Sequence, residues 1–166
     1  MSTDAIVLLK KDHTEVKKLF RTYESTGKRA QATRGKLVNR ILEQLTVHTY
    51  IENEVMYPEV RSLVPDLDDD VLESYEEHHL ADVLCTELAA LSPDNEHFHP
   101  KVTVLIEVVE HHIEEEEDEW FPQVREALGR KKLQEIGVRL EEARAKAPTS
   151  PAQPGALKQV VKGVLA

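Results

Sequence analysis

The sequence predicts an all-α protein, an up-and-down four-helix bundle followed by a C-terminal extra helix and tail. Three observations predict it. Apolar residues recur at steps of three and four through four long segments, the period of amphipathic helices rather than strands. Charged residues reach 31% against 40% hydrophobic, with only 6 Gly, a profile that suits helices with one solvated face. The length, 166 residues, fits one domain, since domains run to roughly 100–200 residues.

The elements follow from breakers and caps. The first helix is expected from about Thr3 to Glu24, opened by Ser2, Thr3 and Asp4 and closed before Gly27. The second covers roughly Ala32 to Leu63 and ends against Pro65. Asp66, Asp68, Asp69 and Asp70 then favour a helix N-terminus, whose dipole is positive, and the third helix runs to about Leu91. A loop from Ser92 to Pro100 leads into the fourth helix, which stops near Leu128 at Gly129. The bundle and its core are thus expected over residues 1–128, with a more polar helix over 129–147. Residues 148–166 form a linker with Pro148, Pro151 and Pro154 and a short basic amphipathic tail, Leu157 to Leu165, either docked on the bundle or disordered.

Lys and Arg total 21 and Asp and Glu 31, giving a net charge of −10 that repels phosphate backbones. Nucleic acid and membrane are therefore not expected as partners, and no apolar run approaches a membrane span or a signal peptide. The single Cys85 allows no intrachain disulfide, in keeping with a reducing compartment, and the expected location is cytoplasmic. Cys85 itself reads as a core residue.

Each of the four apolar stripes is interrupted at its middle by a histidine. His13 lies among Ile6, Leu9, Val16 and Phe20, and His78 among Val71, Ala81, Cys85 and Leu88. The second and fourth helices each carry a His-x-x-x-Glu pair on the inner face, His48 with Glu52 and His112 with Glu116. A lone inward histidine is usually a satisfied core residue, but two carboxylates meeting in a low-dielectric core cost several kcal/mol unless paired or bound to a metal. No Arg or Lys lies near them on the inner stripes, so a cation is the simplest remedy. At about 1.5 Å rise per residue, the distances from each histidine to its neighbouring turn put all four in one layer of an antiparallel bundle.

The chain also repeats itself. Asp12-His13 precedes Leu19-Phe20 as Glu77-His78 precedes Leu84-Cys85, and His48 is followed at nine and ten residues by Tyr57-Pro58 as His112 is by Phe121-Pro122. Each half is a hairpin giving one His and one His-x-x-x-Glu, related by a two-fold axis. The offsets select His78 over His79 and His112 over His111. Six N/O donors, His13, His48, Glu52, His78, His112 and Glu116, with bridging carboxylates, favour two irons, ahead of manganese or zinc. Positions would remain open for oxygen, peroxide or nitric oxide.

The segments DHTEVKKLF around His13, HTYIENEVMYP around His48 and Glu52, EEHHLADVL around His78 and HHIEEEEDEWFP around His112 and Glu116 resemble the hemerythrin-like (HHE cation-binding) family over about residues 1–128. His before Glu at i+4 also separates the pattern from ferritin-like bundles, which use Glu-x-x-His. The resemblance implies a non-haem di-iron centre with an oxo or hydroxo bridge and two bridging carboxylates. Oxygen-carrying members of the family have a further histidine four residues before the position of His78, and here that residue is Ser74. Tyr75, three residues before His78, is a candidate additional ligand or a group hydrogen-bonded to one. His79 and His111 are expected toward solvent or hydrogen-bonded behind a ligand, His97 and His99 in a loop, and the acidic run Glu114 to Glu119, apart from Glu116, on a solvated face.

Loss of that histidine favours chemistry over reversible oxygen carriage. The expected function is therefore reaction with hydrogen peroxide, catalase-like or peroxidase-like, as an oxidoreductase. The alternative is a module that binds or senses oxygen, nitric oxide or iron, or an oxygen carrier; a purely structural bundle is the third reading. The expected partners are small molecules (hydrogen peroxide, oxygen, nitric oxide), and the chain is expected as a monomer or weak homodimer.

Overall fold

The structure, a computed structural model, describes residues 3–151; the expected tail, Leu157 to Leu165, lies outside the described residues. It is all-helical. Helix α1 spans Ala5–Ser25, capped by Asp4, whose carboxylate accepts from the Val7 N–H at 2.9 Å. Helix α2 spans Gln31–Ile51 and runs through a π-helical turn, Glu52–Met56, into α3, Tyr57–Leu63. A short 3₁₀ turn, Pro65–Leu67, leads to α4, Asp68–Ala89, with Asp68, Asp69 and Asp70 in its first turn. Helix α5 spans Phe98–Glu115 and runs through a second π turn, Glu116–Trp120, into α6, Phe121–Lys146. His99, expected in the loop, therefore stands in the first turn of α5, where the Tyr23 hydroxyl lies 3.0 Å from its Nδ1.

The two π turns occupy equivalent places in the repeat and have the same cause. Pro58 and Pro122 have no N–H for the carbonyl four residues back, and their rings would collide with it in a regular α-helix. The turn before each proline widens instead: the Tyr57 N–H bonds the Glu52 carbonyl and the Phe121 N–H bonds the Glu116 carbonyl. Each helix stays continuous, but its register shifts at the buried glutamate.

The bundle has two apolar clusters. One contains Val16, Phe20, Leu45, Cys85, Leu105 and Ile113, the other Leu9, Ile51, Met56, Tyr57, Trp120 and Phe121. His13 falls between Leu9 and Val16, and His48 between Leu45 and Ile51, so the polar layer crosses the bundle between the clusters. Burial in the second cluster continues past the expected end of the core. Gly129 adopts φ 72°, open to glycine without strain, and breaks the line of α6. Beyond it, Leu133, Ile136 and Leu140 are buried and join that cluster. The segment reads as polar because Leu133, Ile136 and Leu140, with Gly137 and the half-buried Ala143, make a narrow inward stripe among many charged residues. Gly137 permits the approach to α1, since a Cβ there would lie 3.2 Å from Ala5 N and closer still to the Thr3 carbonyl. Arg125 to Asp4 and both Arg139 and Lys132 to Glu59 fasten α6 from outside. Among the described residues no helix is long and apolar enough to cross a membrane.

Candidate metal centre

The six residues singled out by spacing converge at mid-height. Glu52 and Glu116 are fully buried, and His13, His48, His78 and His112 are buried with them. Their ligating atoms form two groups, His13, His48 and Glu52 in one and Glu52, His78, His112 and Glu116 in the other, each group within 4.8 Å. Glu52 belongs to both. Its Oε1 lies 3.3 Å from His48 Nε2 and its Oε2 3.1 Å from His78 Nε2, so one carboxylate spans the two halves. Glu116 reaches toward the other half as well, with Oε2 3.8 Å from His13 Nε2 and Oε1 against His112 Nε2.

Three of the rings are held from behind, and the fourth, His13, has a carboxylate beside it. His48 donates from Nδ1 to Asp12 Oδ2 at 2.9 Å and His112 from Nδ1 to Glu77 Oε1 at 3.1 Å. His78 donates from Nδ1 to Asn53 Oδ1 at 2.8 Å, and His13 Nδ1 lies 3.5 Å from Glu117 Oε2. Every holder is a chain neighbour of one of the six: Asp12 precedes His13, Glu77 precedes His78, Asn53 follows Glu52 and Glu117 follows Glu116. The pairing crosses between helices in the same way in both halves. With the proton on Nδ1, Nε2 of His48, His78 and His112 presents a lone pair to the centre. Glu117 thus has a partner at the centre, which the solvated-face expectation for Glu114 to Glu119 did not include. His79 is half-buried and His111 is exposed, where it pairs with Glu115.

Tyr57 is the central residue that the sequence did not reveal. Its hydroxyl lies 3.0 Å from Glu116 Oε1, 3.0 Å from His78 Nε2, 3.2 Å from Glu52 Oε2 and 3.3 Å from His112 Nε2. A regular helix turns about 100° per residue, which would set Tyr57 well away from Glu52; the π turn brings i+5 back over i. The repeat places Phe121 at the matching position, and its ring stacks on His13 with centroids 5.9 Å apart. One half thus offers the centre a phenol and the other a phenyl. Tyr75, the expected candidate, sits outside: its hydroxyl donates to the Asn53 carbonyl at 3.4 Å and its ring meets Tyr57 edge-on at 5.1 Å. Ser74 turns its hydroxyl to the Asp70 carbonyl at 2.9 Å, as an inward serine on a helix does.

The donor set is short of positive charge and of protons. The Tyr57 hydroxyl has one hydrogen to give and four acceptors within 3.3 Å. His78 Nε2 and His112 Nε2 face each other at 3.0 Å with both Nδ1 positions committed elsewhere. His13 Nδ1 and Nε2, His48 Nε2, Glu52 Oε1 and Glu116 Oε2 are buried without a hydrogen-bond partner. Such a concentration of lone pairs is costly in a dry core and is relieved by cations, so these residues fit a metal. The metal-free protein substitutes protons. Burial pulls His48 down, but Glu52 and Asp12 outweigh it and push its pKa up to about 10. Burial likewise opposes and Glu116 and Glu77 raise His112 well above the ordinary range. Burial would raise Glu52, yet the charges and hydrogen bonds of His48 and His78 hold it well below the usual carboxylate range. Burial and the charge of His112 lower His78, against Glu52 and Glu116.

Beside the rings lies a small cavity, open to a water-sized molecule over about 20 Å³, between the four histidines and the apolar side chains of Val16, Leu45, Ala81, Val109 and Ile113. Cys85 is buried, and burial pushes its thiol up, consistent with a core role.

Comparison with known proteins agrees with this geometry. A crystal structure of a hemerythrin HHE cation binding domain-containing protein from Mycobacterium kansasii superposes with TM-score 0.71 at 22% identity, covering 87% of this chain and 89% of that one, which shows the shared fold. A protein named DNA nickase from Nostoc sp. is 27% identical over 139 residues, 84% of this chain but 38% of that protein. The chain therefore spans about two fifths of that relative's length. The family model for the hemerythrin HHE cation binding domain matches residues 4–124, from the cap of α1 to the first turn of α6. The chain belongs to the hemerythrin HHE cation-binding domain family.

Proposed function

We propose that this chain is a non-haem di-iron protein that reacts with hydrogen peroxide in a catalase-like or peroxidase-like manner. The observation that carries the two-metal reading is Glu52, one carboxylate common to two groups of buried donors. His13, His48 and Glu52 would hold one ion; His78, His112 and Glu116, with Glu52 shared, would hold the other. When bound, the irons supply the electrons exchanged with peroxide by cycling between ferrous and ferric states.

The chain's own residues do the rest. Asp12, Glu77 and Asn53 fix ring orientation, and Tyr57, which burial and the charges of Glu116 and Glu52 keep protonated, can donate a hydrogen bond to a molecule at the centre. The cavity is too small for a bulky organic peroxide, and its apolar walls limit water. In the catalase-like reaction two hydrogen peroxide molecules become two waters and one dioxygen and no outside reductant is required, whereas the peroxidase-like reaction needs an external donor of two electrons. An oxygen- or nitric oxide-binding module remains the alternative, because the same cavity accepts a diatomic molecule. A net charge of −10 opposes contact with DNA, which speaks against the activity named for the Nostoc relative.

The test is to add peroxide to the iron-loaded protein and follow dioxygen. Release over many turnovers is expected. A single stoichiometric reaction that bleaches the centre would defeat the enzymatic reading, and a stable oxygenated spectrum would favour the binding module.

A further inference from the structure

The two halves of the centre match in their six donors and in the carboxylates behind the second-helix histidines. Asp12 backs His48 at 2.9 Å and Glu77 backs His112 at 3.1 Å, with separations along the chain of 36 and 35 residues. They differ one step further out. Asp12 also accepts from Arg144 Nη2 at 2.7 Å, on the same Oδ2 atom that receives the His48 proton. Glu77 has no such cation; its one ion pair among the described residues is with His112. Arg144 stands near the end of α6, outside the repeated unit, so nothing in the two-fold pattern supplies its counterpart.

We propose that Arg144 is a positioning residue that acts through Asp12 on His48 and sets His48 apart from His112 as a metal donor. This rests on the di-iron reading for its metal consequences, though not for the contact itself. A carboxylate that shares one oxygen between an imidazole N–H and a guanidinium is a weaker acceptor toward the imidazole. His48 therefore carries less imidazolate character than His112, whose Glu77 partner keeps its full charge, and donates less density to its metal. An ion held by His48 would then be more easily reduced than it would be without Arg144. The repeated core already differs in Tyr57 against Phe121 and Asn53 against Glu117, and the segment after Gly129 adds a difference behind His48 that the repeat does not supply.

The test compares Arg144→Gln, Arg144→Lys and Arg139→Gln. Arg139 fastens the same helix to Glu59 without touching the centre, so R139Q reports loss of a clamp alone. In the metal-free protein, R144Q is expected to shift the ring-nitrogen NMR resonances of His48 and leave those of His112 in place. In protein loaded with the Mössbauer-active iron isotope, R144Q is expected to move one of two quadrupole doublets, and R139Q neither. R144K keeps the charge and should stay near wild type by both measures.

Equal shifts at both histidines, no shift at either, or R144Q behaving as R139Q does would overturn the proposal, and so would R144K moving His48 as far as R144Q. If wild type takes up no iron pair while R144Q still shifts His48 alone, the positioning role stands and the di-iron reading fails.

Discussion

The Tyr57 hydroxyl lies 3.0 Å from Glu116 Oε1, joining residues 59 positions apart in sequence and on opposite halves of the repeat. The contact exists because a proline-driven π turn swings Tyr57 onto the face of Glu52. Tyr57→Phe should keep iron content near wild type, since the six donors remain. In the metal-free protein it should cost about 1–3 kcal/mol, the penalty for a buried acceptor deprived of its donor. A phenolate-to-ferric absorption band, where the loaded protein shows one, should vanish in Y57F and persist in Tyr75→Phe. Retention in Y57F with loss in Y75F would reverse the assignment drawn from the two hydroxyl positions.

Glu52 and Glu116 should not be equal under substitution. Glu52 is within reach of His48 at 3.3 Å and His78 at 3.1 Å, whereas Glu116 approaches His13 only to 3.8 Å. Glu52→Ala is therefore expected to lower iron content more than Glu116→Ala, each falling well short of wild type. Elemental analysis of the purified variants reads this directly, and full loading of both would contradict the ligand assignment.

Metal affinity should fall as pH falls. A group with a raised pKa keeps its proton at neutral pH; for His48, raised to about 10, that proton must leave before Nε2 can bind. Each displaced proton weakens apparent affinity about tenfold per pH unit on the acid side of that pKa. Chelator competition between pH 6 and 8 should show at least this slope, with proton release on loading, and the loaded protein should melt higher than the metal-free one. A flat profile would mean that protons and metal do not share the site.

Gly137→Ala should destabilise the protein although it sits in a helix. Alanine improves helix propensity by about 1 kcal/mol, but the new Cβ meets the backbone at the start of α1, from Thr3 to Ala5, and overpacking of this kind costs about 1–3 kcal/mol. The steric effect is expected to exceed the propensity gain because the atoms met are backbone and not the far end of a flexible side chain. A lower melting temperature is expected; a higher one would show that α6 can slide on α1 without loss.

The sequence determined the helices, their antiparallel order and the six inward donors. Helical periodicity and the spacing of His13, His48, His78 and His112 along rods of fixed rise leave little freedom once the turns are located. It also displayed the Tyr-Pro and Phe-Pro pairs that cause the π turns, though not their effect, because a fixed angle per residue cannot anticipate a turn that changes the angle. What only the tertiary structure decided is the surround: Tyr57 rather than Tyr75 at the centre, Asp12, Asn53, Glu77 and Glu117 crossing between helices to hold the rings, and Arg144 arriving from a segment that looked merely polar. Those contacts depend on how neighbouring helices rotate and close on one another. Their register is set by packing between residues far apart in the chain, which no single helix encodes.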